Sequence, residues 1–259
     1  MKKIIAFAIV GVLLAGGGIT FYSLNKKSER ANFELNILSI GDSITAGMVD
    51  EKGTWATNHN YHLSMILSEK GYRPRFIGSH IQPLSLGAEP LSDEGYGSYC
   101  IAENWESCNY SSQAEKLENN TLLGNLNNIL IQSHIPQIII LQGGINDIHI
   151  NQENAGVMGD PAISMLEMVK RVREKYNDAL IVVIPVFEYG QASILPAVDK
   201  FNLDVAQGVK NMKSTIMIEL PNFSIKENFF LDGVHPNSEG YRVMAEKIYE
   251  GIAKQKLLP

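Results

Sequence analysis

Apolar residues along this chain fall into two alternating patterns. Five segments read as strands: Leu35 to Ile40, Arg75 to Ser79, Gln137 to Gln142, Leu180 to Val186 and Thr215 to Leu220. Three of them are nearly continuous apolar runs, as expected for parallel strands buried on both faces. Between them lie stretches with apolar residues at helical spacing. Tyr61 to Lys70 is followed by Gly71, a suitable helix terminator. Leu117 to Ser133 is a second, and Asp160-Pro161 opens a third with an N-cap and a first-turn proline. Pro196 to Lys213 and Pro236 to Ile252 complete the set. Strand–helix alternation predicts right-handed crossovers and a three-layer α/β/α sandwich on a mainly parallel, five-stranded sheet. Active sites in such folds lie at the carboxyl ends of the strands.

The N-terminus departs from this pattern. Lys2 and Lys3 precede a charge-free stretch from Ile4 to Leu24, and Lys26 and Lys27 follow it. As a helix that stretch spans roughly 31 Å, enough for a bilayer core. The division expected is residues 1–24 as a signal anchor or signal peptide, 25–33 as a linker and 34–259 as the folded domain. Ala15-Gly16-Gly17 offers a small-residue cleavage site, but Ile19 to Tyr22 carry the apolar run past it. The protein is therefore expected to be exported. It stays membrane-anchored if the segment is kept, and is secreted or periplasmic if it is cleaved.

Composition narrows the partners. Apolar residues make up 45% of the 259 and charged residues 19%, which suits a well-buried core. A net charge of -6 argues against nucleic acid, whose phosphates favour a basic surface. Cys100 and Cys108 are the only cysteines and share one polar, turn-rich stretch. A disulfide between them fits an oxidising compartment. The other readings are two free thiols or half of a metal site, for which no second cysteine pair is present.

Two short segments carry the chemistry. Gly41-Asp42-Ser43 directly follows the first strand, and Asp232-Gly233-Val234-His235-Pro236-Asn237 lies near the C-terminus. A serine hydroxyl is a weak nucleophile until a base takes its proton, and the base needs a third group to orient it. An aspartate three residues before the histidine fills that role across one turn. Each segment also has a plainer reading: a helix cap after a strand, and a turn before a proline-led helix. Gly143-Gly144-Ile145-Asn146-Asp147 ends another predicted strand and reads alone as a glycine turn.

In combination and in this order, the segments resemble the GDSL/SGNH hydrolase superfamily, closest to its acetylxylan-esterase-like branch. Gly41-Asp42-Ser43-Ile44-Thr45-Ala46-Gly47 matches the first block, Gly144-Ile145-Asn146-Asp147 the third, and Asp232 to Pro236 the last. The resemblance implies a flavodoxin-like sheet, Ser43 as nucleophile, His235 as base and Asp232 as its acid partner. It also implies an oxyanion hole from the Ser43 N–H, the Asn146 side chain and a glycine N–H. The last of these falls in Glu94-Gly95-Tyr96-Gly97-Ser98, where Gly97 or Ser98 supplies the donor. No metal or organic cofactor is required. The implied activity is hydrolysis of small acyl esters, foremost acetyl, on carbohydrate. A lysophospholipase, a thioesterase or a glycan O-acyltransferase would use the same site on another substrate, including a lipid ester.

The other candidates rank lower. Asp147-Ile148-His149 with Gly41-Asp42 superficially suggests a metal-dependent phosphoesterase, but the order is wrong and a second histidine cluster is missing. A glycan-binding relative without activity would normally have lost a catalytic residue. His59, His62, His80, His134 and His149 are read as packing or surface residues. Trp55 and Trp105 are candidate groove walls, with packing as the alternative.

Overall fold

The computed structural model describes residues 33–47, 57–81, 91–102, 108, 121–153, 159–187, 191–220, 227–230 and 232–255. Its centre is strand β1 (Glu34–Gly41), in which Leu35, Ile37, Leu38 and Ile40 are fully enclosed. Burial of each such side chain contributes about 1.5–3 kcal/mol. One edge of β1 pairs in parallel with β5 (Ile138–Leu141). The sheet continues through β6 (Leu180–Val183) to β7 (Thr215–Met217), all parallel. The other edge is shared. β2 (Arg73–Ile77) covers β1 from Glu34 to Leu38, and β4 (Ser92–Gly95) takes over at Ile40 and Gly41. β3 (His80–Ile81) pairs antiparallel with β4.

All five expected strands are present. Numbered among themselves they run 2-1-3-4-5, the flavodoxin-like order. Among the described residues the sheet has seven strands rather than five, because β3 and β4 extend it. Ser92-Asp93-Glu94-Gly95 carries no apolar run, so nothing in its hydropathy marks a strand.

Helices cover both faces. Helix α2 (His59–Glu69) packs against α7 (Ser238–Lys254), while α5 (Pro161–Lys175) packs against α3 (Leu122–Ile129) and α6 (Leu195–Val209). Their boundaries follow from their caps. Asn58 accepts the Tyr61 N–H at 3.2 Å, so α2 begins at His59 rather than Tyr61. Beyond α2, Gly71 adopts φ 90° and ends the helix as expected. Asp160 accepts the Ala162 N–H at 2.9 Å with Pro161 in the first turn. Asn237, not Pro236, opens α7: its side chain accepts from Glu239 and Gly240, both at 3.0 Å.

Among the described residues two further α-helices lie outside the five helical stretches read from the sequence. α1 (Ser43–Ala46) is a single turn, and α4 (Ile145–Glu153) begins inside the glycine segment. Among the described residues no helix is long and apolar enough to cross a membrane. The expected signal segment, 1–24, lies outside them.

Candidate active site

Strand β1 delivers the first block to the carboxyl edge of the sheet. A Cβ on Gly41 would stand 2.7 Å from the Gln142 carbonyl, so only glycine fits there. Asp42 then caps α1, accepting the Ile44 N–H at 2.9 Å. Ser43 becomes the first helical residue, whose backbone N–H has no intrahelical acceptor. Gln142, directly after β5, anchors this turn by accepting from the Asp42 N–H at 3.3 Å and the Thr45 hydroxyl at 3.1 Å. Gly47 closes the turn at φ 88°.

The last block arrives from far along the chain. Pro236 bridges to Phe230, and the Asn237 side chain donates to the Asn228 carbonyl at 2.7 Å. His235 is thereby held with Nε2 2.9 Å from Ser43 Oγ. Its Nδ1 lies 2.6 Å from Asp232 Oδ2, and Asp232 Oδ1 accepts the backbone N–H groups of His235 and Val234 at 2.7 and 3.0 Å. Ser43 and His235 are buried, whereas Asp232 is an exposed residue whose side chain turns inward. Burial pushes the Asp232 carboxyl up. The hydrogen bonds from the His235 ring and backbone, with the imidazole charge, outweigh it and hold the group below the ordinary carboxylate range. An ionised Asp232 fixes the Nδ1–H tautomer, which leaves Nε2 to accept the Ser43 proton.

The Glu94–Ser98 segment and the third block meet near the first block. A Cβ on Gly95 would come within 2.6 Å of the Ala46 Cα, so β4 can approach α1 only without a side chain there. The Tyr96 N–H donates to the Gly41 carbonyl at 2.9 Å. Ser98, two residues on, has left-handed backbone at φ 64°, whereas Gly97 has no positive φ. Across from it, Gly143 and Gly144 have φ 151° and 115°. A Cβ on Gly144 would meet the Phe201 ring at 2.9 Å. This turn places Asn146 in the first turn of α4, where its amide donates to the Tyr99 carbonyl at 2.8 Å. The structure therefore brings Ser43, His235, Asp232, Asn146 and the Gly97–Ser98 turn to one edge of the sheet.

Cys100 and Cys108 form a disulfide with Cα atoms 5.7 Å apart, both buried. The other histidines have different surroundings. His59 is fully buried with Nε2 3.3 Å from Ser39 Oγ, and burial, with nearby His62, lowers its pKa to about 3. His80 Nδ1 lies 2.9 Å from the Gly95 carbonyl, and His134 contacts Ser133 on the surface. Trp55 and Trp105 lie outside the described residues.

Three supporting groups escape sequence reading. Gln142 has only its position after a strand to mark it. Asp93 accepts the Gly95 N–H at 3.0 Å and the Asn60 side chain at 3.4 Å, tying β4 to α2. Asp147, beside Asn146, accepts the N–H groups of Ile101 and Ala102.

A serine, a histidine and an aspartate joined by hydrogen bonds at the carboxyl edge of a mainly parallel sheet form an arrangement suited to acyl transfer. The model of the GDSL-like lipase/acylhydrolase family matches residues 39–243, and the chain belongs to that family of carboxylic ester hydrolases. The chain is 25% identical over 242 residues to a multidomain esterase from Ruminococcus flavefaciens. That match covers 84% of this chain but only 28% of the relative's length. A family 3 carbohydrate esterase from Clostridium thermocellum superposes with a TM-score of 0.62 at 20% identity, covering 87% of this chain and all of that one. An acetyl xylan esterase superposes with a TM-score of 0.58 at 14% identity, covering 84% of this chain and 100% of the other. At such identities these two likenesses carry the fold.

Proposed function

We propose that this protein is an exported serine esterase that removes small acyl groups, foremost acetyl, from carbohydrate. The observation that carries the reading is the relay Ser43 Oγ to His235 Nε2 at 2.9 Å and His235 Nδ1 to Asp232 Oδ2 at 2.6 Å. Its two halves come from segments 192 residues apart, which local capping does not require.

In this mechanism Ser43 attacks the ester carbonyl while His235 takes the hydroxyl proton. The imidazolium, stabilised by Asp232, returns the proton to the departing sugar oxygen. The oxyanion is met by the Ser43 N–H, the second amide hydrogen of Asn146 and a third donor from the Gly97–Ser98 turn. Ser98 is favoured over Gly97. It stands where the family block Glu-Gly-x-x-Gly has its last glycine, and it adopts a glycine-like φ of 64°. Each such donor is worth about 2.7–4 kcal/mol of barrier. Water, activated by His235, then releases the acyl group. The carbohydrate reading draws on the carbohydrate esterases of the same fold and on the Glu94-Gly95 segment. Export is supported by the disulfide and by the apolar N-terminal stretch.

The test is hydrolysis of p-nitrophenyl acetate by the wild type and by Ser43→Ala. Turnover is expected to fall on the order of 10⁴-fold or more, and equal rates would sink the proposal. A series of longer p-nitrophenyl esters then separates substrates. Falling rates with chain length support acetyl removal, whereas a long-chain preference points to lipid esters.

A further inference from the structure

Asn146 is an oxyanion donor only if its free amide N–H faces the oxygen of the reacting carbonyl, and the Tyr99 carbonyl fixes that orientation. A carboxamide is planar, so fixing one N–H direction fixes the other. The Tyr99 carbonyl, 2.8 Å from the Asn146 nitrogen, fixes the first. Tyr99 donates its N–H to the Tyr96 carbonyl at 3.3 Å and packs on the Tyr96 ring, while the residues directly after it are held by the helix that carries Asn146.

The Asp147 carboxylate, only 1% exposed, accepts the Ile101 N–H at 2.9 Å and the Ala102 N–H at 3.1 Å. Between them and Tyr99, the Cys100 side chain is locked in the disulfide and packs with Cys108 and Ile150. Ile150 lies one turn beyond Asn146 on α4. The carbonyls of Cys100 and Ile101 accept from Leu122 and Leu123 at 2.9 and 3.1 Å. Helix α4 thus grips the residues directly after the one that orients its own donor. We infer that Asp147, seconded by the Cys100–Cys108 disulfide, is a positioning residue that sets the Asn146 amide through the Tyr99 carbonyl. The catalytic part of this inference rests on the esterase reading above.

The mechanism has a specific signature. An asparagine at 147 has a single acceptor oxygen and adds a donor that faces two N–H groups. The Tyr99–Ala102 segment then shifts, and the Asn146 amide turns away. Ground-state binding is untouched, so kcat falls while KM holds.

The experiment is a double-mutant cycle in the full chain with p-nitrophenyl acetate. Asn146→Ala alone is expected to lower kcat about 100-fold. Asp147→Asn alone is expected to lower it about 10-fold or more, with KM within about twofold. Both together are expected to cost no more than Asn146→Ala, because Asp147 acts through a side chain already removed. Multiplying losses, or a rise in KM with kcat intact, overturns the inference and leaves Asp147 a purely structural residue. If Asp147→Asn does not fold, the Cys100→Ser/Cys108→Ser pair replaces it in the same cycle, with a few-fold loss expected and the same rule for combination. A second readout needs no activity. The side-chain amide of Asn146, assigned in nitrogen-15 spectra by its loss in Asn146→Ala, should move towards free-amide shifts in Asp147→Asn. Absence of any Ser43-dependent turnover would defeat the esterase reading. An unmoved Asn146 resonance would defeat the positioning role.

Discussion

At the scale of single residues, the first block shows why a short motif can be rigid. Gly41 is fixed by steric approach, Asp42 by its cap, Thr45 by Gln142 and Gly47 by its left-handed φ. Ile44 and Ala46 are buried apolar residues, which leaves Ser43 as the position with a hydroxyl turned to His235. The candidate residues were legible because each block is contiguous and ends a strand. Gln142 and Asp147 were not, since their roles depend on neighbours 97 and 46 residues away. Asp42 adds a measurable property. Burial raises its pKa from 3.8 to about 6, against the Ile44 N–H and the Gln142 contact. Its Oδ2 has no hydrogen-bond partner among the described residues. A raised carboxyl pKa favours folding below pH 3.8, and this contribution is lost as pH rises through about 6. The rise corresponds to about 3 kcal/mol. Thermal melts of Asp42→Asn and wild type should therefore differ more in favour of the variant at pH 7 than at pH 4. A difference that does not change with pH would contradict the assignment. Ser98 gives a second prediction. Replacing it by glycine relieves a left-handed conformation and should stabilise the fold by about 1 kcal/mol while esterase activity is kept. A denaturant melt with a p-nitrophenyl acetate assay checks both halves.

At the scale of elements, legibility tracks hydrophobic content. β1, β5 and β6 were readable because their apolar runs are enclosed on both faces. β4 was not, because its two carboxylates are buried by polar partners rather than exposed. Glu94 accepts from the Ser79 N–H and hydroxyl and from Gln132. α4 was hidden by the glycines that lead into it. β4 leads into the proposed oxyanion turn and α4 carries Asn146, so the fold was read more completely than the site within it. The closeness of β4 to α1 is also where the site is most easily damaged. Alanine at Gly95 drives a methyl into the Ala46 backbone. It should cost about 1–3 kcal/mol and displace Ser43 from His235, lowering kcat as well as stability. Unchanged kinetics in Gly95→Ala would mean that β4 and α1 move apart without cost.

At the scale of the whole molecule, the sheet separates two edges. Ser43 lies beyond the carboxyl end of β1, and Phe33 precedes its other end, roughly 23 Å away along the strand. Ile252, near the end of α7, lines the same concavity as Phe33 and Leu35. Both ends of the described fold therefore leave from the edge opposite the chemistry. That arrangement makes the domain a cassette. Material joined before residue 33 or after residue 255 starts from the edge opposite Ser43. Replacing residues 1–32 with a hydrophilic fusion partner should leave kcat/KM for a small soluble ester within about twofold. A neighbour attached at either end would thus ask nothing of the edge that holds Ser43, only of a linker on the far side.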